Sequence, residues 1–313
     1  MKTVLVGTRE SKLAKWQGNW VISQLEGLFK DYRFQLVGIQ TKGDVQSTTP
    51  FHKIDGTNIF TKEVDEALIN KKIDMAVHSI KDLHNFDDSK IILGSIVGRS
   101  EPSDVLISRE NIPLRELPEG ARIGTSSLRR KSELLRFRED FNIVECRGNI
   151  PTRISKVRKK EFDAIVLAAA GLQRLGLDSK ITEYLPYSLC MPAAGQGAVG
   201  VNIRIGDNEM RYLLREIHNP MAESAVKAER ALVDYLGGGC NVPIGALARY
   251  KGNRLQLEAI VLSPDGSEAV RSYATGHFTS PTFLGIHVAK MLLKDGAYKI
   301  IKEHSSAFNA APK

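Results

Sequence analysis

Residues 122–130 read Arg-Ile-Gly-Thr-Ser-Ser-Leu-Arg-Arg, and their order is strand, cap, helix. A short apolar strand ends at Gly124, the hydroxyls of Thr125, Ser126 and Ser127 offer capping oxygens, and Leu128 to Arg138 continues at helical spacing. Arginines stabilise the C-terminal end of a helix, so Arg129 and Arg130 in the first turn require a counter-anion. Free N–H groups, hydroxyls and two guanidinium forks together describe an anion site, against the plainer reading of a cap followed by surface arginines.

Working outward, the same alternation repeats on both sides. Strand patterns at Asn142–Cys146 and Ala164–Ala168 flank a helix over Ile150–Lys159. Earlier, Val4–Gly7, Phe34–Ile39 and Ile73–Val77 read as strands. Leu13, Trp16, Trp20, Val21, Leu25 and Leu28 recur at helical spacing, and Phe60–Asn70 reads as a second helix. This is βαβ logic in two α/β lobes, with ligand loops at the strand C-terminal ends. The small-residue run Pro192 to Gly200 suggests a crossing between lobes. From Pro220 the pattern becomes a helix, strands at Ile244–Tyr250, Leu255–Val261 and Ala269–Thr275, and a helix over Phe283–Leu293 ended by Gly296. The expected partition is 1–98 plus 199–216 for a discontinuous first α/β domain, 103–192 for a basic second one, and 220–313 for a smaller α+β domain.

Composition narrows the function classes. At 313 residues, 42% hydrophobic and 26% charged, the chain has the content of a folded globular protein of two or three domains. The apolar run Ala164–Leu172 is about half the roughly 20 residues that span a bilayer, and the N-terminus lacks the apolar core of a secretory signal. A cytoplasmic protein without membrane association is expected. Cys146, Cys190 and Cys240 have no metal-type spacing, so neither a zinc site nor a disulfide framework is indicated. The net charge of +8 is concentrated: Arg122 to Lys160 holds twelve Lys/Arg against four acids, which equals the excess of the whole chain. Such a stretch suits a polyanionic partner. Nucleic acid is disfavoured because no aromatic interleaving or recognition-helix motif accompanies it.

Several loops carry candidate chemistry. Thr8-Arg9-Glu10-Ser11, Arg147-Gly148-Asn149 and Thr152-Arg153 repeat the basic strand-to-helix junction. Lys81 and Asp82 stand side by side after the third strand of the first lobe, where a carboxylate beside cations could stabilise a cationic intermediate or relay a proton; a surface Lys/Asp pair is the plainer alternative. His78 is read as structural. Cys146 and Cys190 lie in or beside apolar segments and are read as packing residues, whereas Cys240 follows Gly237-Gly238-Gly239, a loop suited to a thiol available for covalent attachment.

The ordered set HSIKD (78–82), GTSSLRR (124–130), RGNIPTR (147–153), AAAGLQRLG (168–176), PAAGQGAVG (192–200) and GGGCNVPIG (237–245) resembles the porphobilinogen deaminase (hydroxymethylbilane synthase) family along nearly the whole chain. The resemblance implies two lobes like those of type II periplasmic binding proteins and a third, smaller α+β domain. It also implies a dipyrromethane cofactor held covalently by Cys240, and a reaction that joins four porphobilinogen molecules head to tail with loss of ammonia to give hydroxymethylbilane. Asp82 would stabilise the azafulvene cation and pyrrole nitrogens. Lys53, Lys81, Asp82, Ser127, Arg129, Arg130 and Arg147 would hold the cofactor, and Arg9, Ser11, Ser126, Arg147, Arg153 and Arg174 the substrate acids. Each pyrrole brings an acetate and a propionate, so the basic stretch has a physical purpose. A monomer with no metal and no nucleotide is implied. The chain departs from the family pattern at Ile54-Asp55-Gly56-Thr57-Asn58, at Leu83-His84-Asn85 and at Asn202-Ile203-Arg204. These departures admit a low-activity paralogue, and a non-catalytic binder of polycarboxylate anions is the other alternative.

Overall fold

The computed structural model describes residues 1–45, 60–83, 90–237 and 242–304. The chain forms two compact units, one of Met1–Ser100, Gln173–Gly176 and Gly197–Glu223, the other of Glu101–Leu172, Leu177–Gln196 and Ser224–Lys313.

In the first unit, β1 (Lys2–Arg9), β2 (Tyr32–Ile39), β3 (Met75–Ser79), β4 (Ile91–Arg99) and β10 (Ala198–Arg204) form one sheet in the order β2-β1-β3-β10-β4. β1 runs parallel to β2 and β3, and β10 runs antiparallel to β3 and β4. The helices are α1 (Lys12–Leu28), the short α2 (Lys42–Val45), α3 (Lys62–Ile69) and α7 (Asn208–Arg215). α1 starts where Ser11 Oγ accepts from Ala14 N at 3.2 Å, and it buries Ala14, Val21, Ile22 and Leu25. Trp16 and Leu28 share the helical spacing of that stripe but are exposed, Trp16 stacking on Trp20 at 6.2 Å. Val4, Val6, Val21, Leu25, Met75, Val199 and Ile203 pack into one core, each worth on the order of 1.5–3 kcal/mol for full burial.

The second unit holds another five-stranded sheet, β5 (Asp104–Ser108), β6 (Arg122–Gly124), β7 (Asn142–Val144), β8 (Ala164–Ala168) and β9 (Glu183–Tyr184), in the order β7-β6-β8-β5-β9. β6 is parallel to β7 and β8, and β5 is antiparallel to β8 and β9. Both sheets thus share one plan, three parallel strands followed by two that alternate in direction. The loops after β6 and β7 lead into α4 (Leu128–Phe137) and α5 (Ile150–Arg158), and α6 (Ala169–Arg174) follows β8.

From Ser224 on, the same unit contains most of α8 (Pro220–Tyr235), the antiparallel meander β11 (Ile244–Lys251), β12 (Arg254–Leu262) and β13 (Ala269–His277), then α9 (Pro281–Leu292) and α10 (Tyr298–His304). Period-two alternation puts Leu255, Leu257, Ala259 and Val261 of β12 into a core with Leu232, Leu284 and Val288. Gly296, with φ of 114°, sits beyond α9 in a conformation that favours glycine. The mixed α/β class, two sheet-and-helix lobes with a smaller three-stranded domain, is the one read from the sequence. The strands β4, β5, β9 and β10 were not read from it.

Candidate functional site

In the first unit, the loop after β1 and the turn after β3 come together. Arg9, Ser11, Gln17, Phe60, His78, Ser79 and Asp82 line one pocket. Asp82 lies in a single 3-10 turn, Ile80–Asp82, that anchors Ile80 in the core and leaves Lys81 and Asp82 half-buried. Arg9 lies over the Phe60 ring at 4.3 Å. Gln17 reaches from α1 to Ser79, with Nε2 donating to Oγ at 2.9 Å. His78 is buried, and its Nε2 lies 3.1 Å from Asp65 Oδ1. That carboxylate also accepts from Asn202 Nδ2 at 3.2 Å, which ties one departure from the family pattern into the floor behind His78. The structural reading of His78 fits this packing.

In the second unit, Arg129 and Arg130 have their counter-anion within the protein. Asp104, at the start of β5 and fully buried, accepts from Arg129 Nη2 at 2.7 Å and Arg130 Nη2 at 2.6 Å. Gln196 Nε2 donates to it at 2.9 Å. Burial alone would raise the Asp104 pKa, but the charges and hydrogen bonds of Arg129 and Arg130 hold it far below the usual carboxylate range. Arg129 is also bound to Glu133 Oε2 at 2.9 Å and to the Met191 carbonyl oxygen. Burial opposes its charge, but Asp104 and Glu133 raise its pKa above the ordinary value. Arg130 donates to the Val166 carbonyl at 3.1 Å, while its Nε is buried with no acceptor among the described residues.

The neighbouring loops are built as the sequence suggested. Ser127 caps α4, accepting from Arg130 N at 3.4 Å, and Ser126 Oγ donates to the Cys146 carbonyl at 2.8 Å, linking the loop after β6 to the loop after β7. Asn149 caps α5 through Thr152 N at 3.1 Å, and Arg153 Nε donates to the Gly148 carbonyl at 2.7 Å. Arg147 lies 3.8 Å from Glu145. Arg174 belongs to the first unit, where it donates to Gly197 O and Ser100 Oγ and lies over Trp16; burial lowers its pKa to about 10. Lys53, Cys240, Asp55, Thr57, Asn58, His84 and Asn85 lie outside the described residues. Cys146 and Cys190 are buried free thiols.

Three site-building residues escaped sequence reasoning: Gln17, Asp104 and Glu133. Gln17 alone had a usable signal, a polar residue on the apolar face of α1.

Residues 4–212 match the family model described as porphobilinogen deaminase, dipyromethane cofactor binding domain, and residues 224–294 match porphobilinogen deaminase, C-terminal domain. The chain belongs to the porphobilinogen deaminase family. The porphobilinogen deaminase of Carboxydothermus hydrogenoformans is 44% identical over 302 residues, covering 96% of this chain and 97% of that protein. That of Pelotomaculum thermopropionicum is 44% identical over 301 residues, covering 96% of each. Among solved structures, the second substrate binding domain of a putative amino acid ABC transporter from Streptococcus pneumoniae has a TM-score of 0.45 at 10% identity, over 69% of this chain and 92% of that one. Membership makes the chain a transferase of tetrapyrrole biosynthesis with a domain for the dipyrromethane cofactor. Among the described residues no helix is long and apolar enough to cross a membrane.

Proposed function

We propose that this chain condenses four porphobilinogen molecules head to tail, releasing ammonia at each step and hydroxymethylbilane at the end, with Asp82 as its catalytic carboxylate. The observation that carries the reading is the pocket in which Asp82 stands with Arg9 and Ser11. Loss of ammonia leaves a methylene-pyrrole cation. A fixed carboxylate beside it lowers the barrier because the charge develops where a negative group already points. Asp82 also accepts hydrogen bonds from pyrrole N–H groups, while Arg9 and Ser11 bind the substrate acids. Arg147, Arg153, Ser126 and Arg174 serve the same acids.

A dipyrromethane cofactor would be held through Cys240 and would supply the pyrrole carbon that accepts the first substrate unit. Its acidic side chains suit the unit rich in basic loops, and the buried Arg130 Nε, a donor with no acceptor among the described residues, fits an added anionic group. Lys53, Lys81, Asp82, Ser127, Arg129, Arg130 and Arg147 are the residues that would hold it. Within this reading Arg129 acts from inside the protein, as part of the Asp104 cluster. The catalytic work falls to three domains, 1–98 with 199–216, 103–192 and 220–313, of a cytoplasmic monomer.

The test is the stoichiometry of the purified chain given porphobilinogen. Four ammonia per hydroxymethylbilane is expected, with Asp82→Asn retaining bound cofactor and turning over at least about a hundredfold more slowly. Porphobilinogen left unconsumed by the cofactor-loaded chain would favour the anion-binding alternative.

A further inference from the structure

Cys190 stands between two carboxylates and has one hydrogen to give. Its Sγ lies 3.3 Å from Asp104 Oδ2 and 3.2 Å from Glu133 Oε2. All three groups are buried, Asp104 at 0% and Glu133 at 3% exposure. With both carboxylates ionised, one of the two sulfur–oxygen contacts would set lone pair against lone pair. One further proton resolves the conflict, carried on a carboxyl oxygen and donated to sulfur.

Asp104 is the wrong place for that proton. Its oxygens already receive Arg129, Arg130 and Gln196, and two guanidinium groups hold it ionised. Glu133 faces a single cation. Its Oε2 meets Arg129 Nη1 at 2.9 Å, and its Oε1 accepts from Met191 N at 2.7 Å. Burial pushes the Glu133 pKa up to about 7 against the pull of Arg129, the Met191 amide and the Cys190 thiol, and the Asp104 charge adds to the rise. The groups that face Glu133 are thus Arg129 on its own helix, Asp104 on β5, and Cys190 and Met191 on the segment after β9.

We propose that Glu133 is a positioning residue that carries a proton in the folded protein around neutral pH, shared with Cys190 Sγ, and that this proton governs how the segment from Cys190 to Gln196 is held. Protonated, Glu133 leaves the cluster of Arg129, Arg130 and Asp104 with one net positive charge; ionised, it releases the proton to solvent and the cluster becomes neutral. Met191 carries the effect onward. Its amide is bound to Glu133, its carbonyl to Arg129, and its side chain packs with Leu247, Ile260 and Leu262 of the meander. The approach is so close that a Cβ at Gly245 would lie 2.9 Å from Met191 O. The proposal does not depend on which group Cys240 holds.

Thermal unfolding of the full chain between pH 5 and 9 tests it. A carboxyl whose pKa is higher in the folded than in the unfolded chain makes stability fall as pH rises from about 4.5 to about 7 and level off above. The wild-type chain should therefore lose about 5 °C more across that window than Glu133→Gln. The amide has one acceptor oxygen in place of two, so with that oxygen on the Met191 N–H it turns an NH2 group toward Arg129, and the variant should melt lower but with that fall removed. A residue with only a structural role would lower the melting temperature equally at every pH, and a wild-type slope retained in Glu133→Gln overturns the proposal. If the variant does not fold, infrared spectra of the wild-type chain decide. A carboxylic-acid carbonyl band that disappears with a midpoint near pH 7 supports it, and the absence of such a band overturns it.

Discussion

Asp82 and Asp104 stand at strand ends of two sheets built on one plan, and their surroundings are opposite. Asp104 opens β5 in full burial, its oxygens taken by Arg129, Arg130 and Gln196 with the Cys190 thiol alongside. Asp82 sits half-buried on a one-turn helix at a pocket wall beside Arg9 and Ser11. A carboxylate saturated with donors is a structural counter-ion and has nothing left for a ligand. One that faces a pocket is placed to meet a cation, the role proposed above for Asp82. Nearby basic residues therefore do not by themselves mark a catalytic acid; what matters is whether its acceptor capacity is already taken.

The comparison breaks most visibly at Asp104. Asp104→Ala leaves two buried guanidinium groups uncompensated and should destabilise the chain by about 3–5 kcal/mol, read from denaturant unfolding. A loss below about 1 kcal/mol would mean that the cluster is not the structural counter-ion described here. Asp82→Asn should show the converse: stability within about 0.5 kcal/mol of wild type but turnover reduced at least about a hundredfold, equivalent to roughly 2.7 kcal/mol of activation energy. If both substitutions unfold the protein, the contrast fails.

Smaller changes sharpen the contrast around α4 and α5. Gly266 adopts a φ of 79°, and a Cβ there would lie 2.3 Å from the Ser132 carbonyl oxygen on α4. Gly266→Ala should therefore cost about 1–3 kcal/mol of stability, measured by the same unfolding curves. Asn149→Ala removes the cap of α5 and should cost about 1 kcal/mol, with cofactor still bound.

The pH responses of the cluster have opposite signs. Asp104, with its pKa depressed, contributes stability above the unfolded value of about 3.8 that is lost only as pH falls through its folded value, below ordinary working conditions. Glu133, with its pKa raised to about 7, weakens the fold as pH rises toward neutrality.

The sequence made the parallel strands and their helices legible because each junction carries its own cap and periodicity, as at Gly124 to Arg130. It hid β4 because the run Ile91–Arg99 does not alternate apolar with polar residues, and β10 because it begins inside a glycine-rich stretch. The basic loops were legible as residue types. What they bind was less so: the need for a counter-anion at Arg129 and Arg130 was readable, but Asp104 lies about 25 residues away and meets them only through the pairing of β5 with β8. Glu133 was counted as one acid among many cations, since its burial depends on Met191 and Cys190, almost 60 residues later in the chain.

The covalent claim is tested most directly by the denatured mass of the purified full chain, followed by peptide mapping. A mass increase of two pyrrole units is expected, placed on Cys240 and absent from Cys240→Ser. An unmodified chain from an active preparation, or an adduct on Cys146 or Cys190, would contradict it.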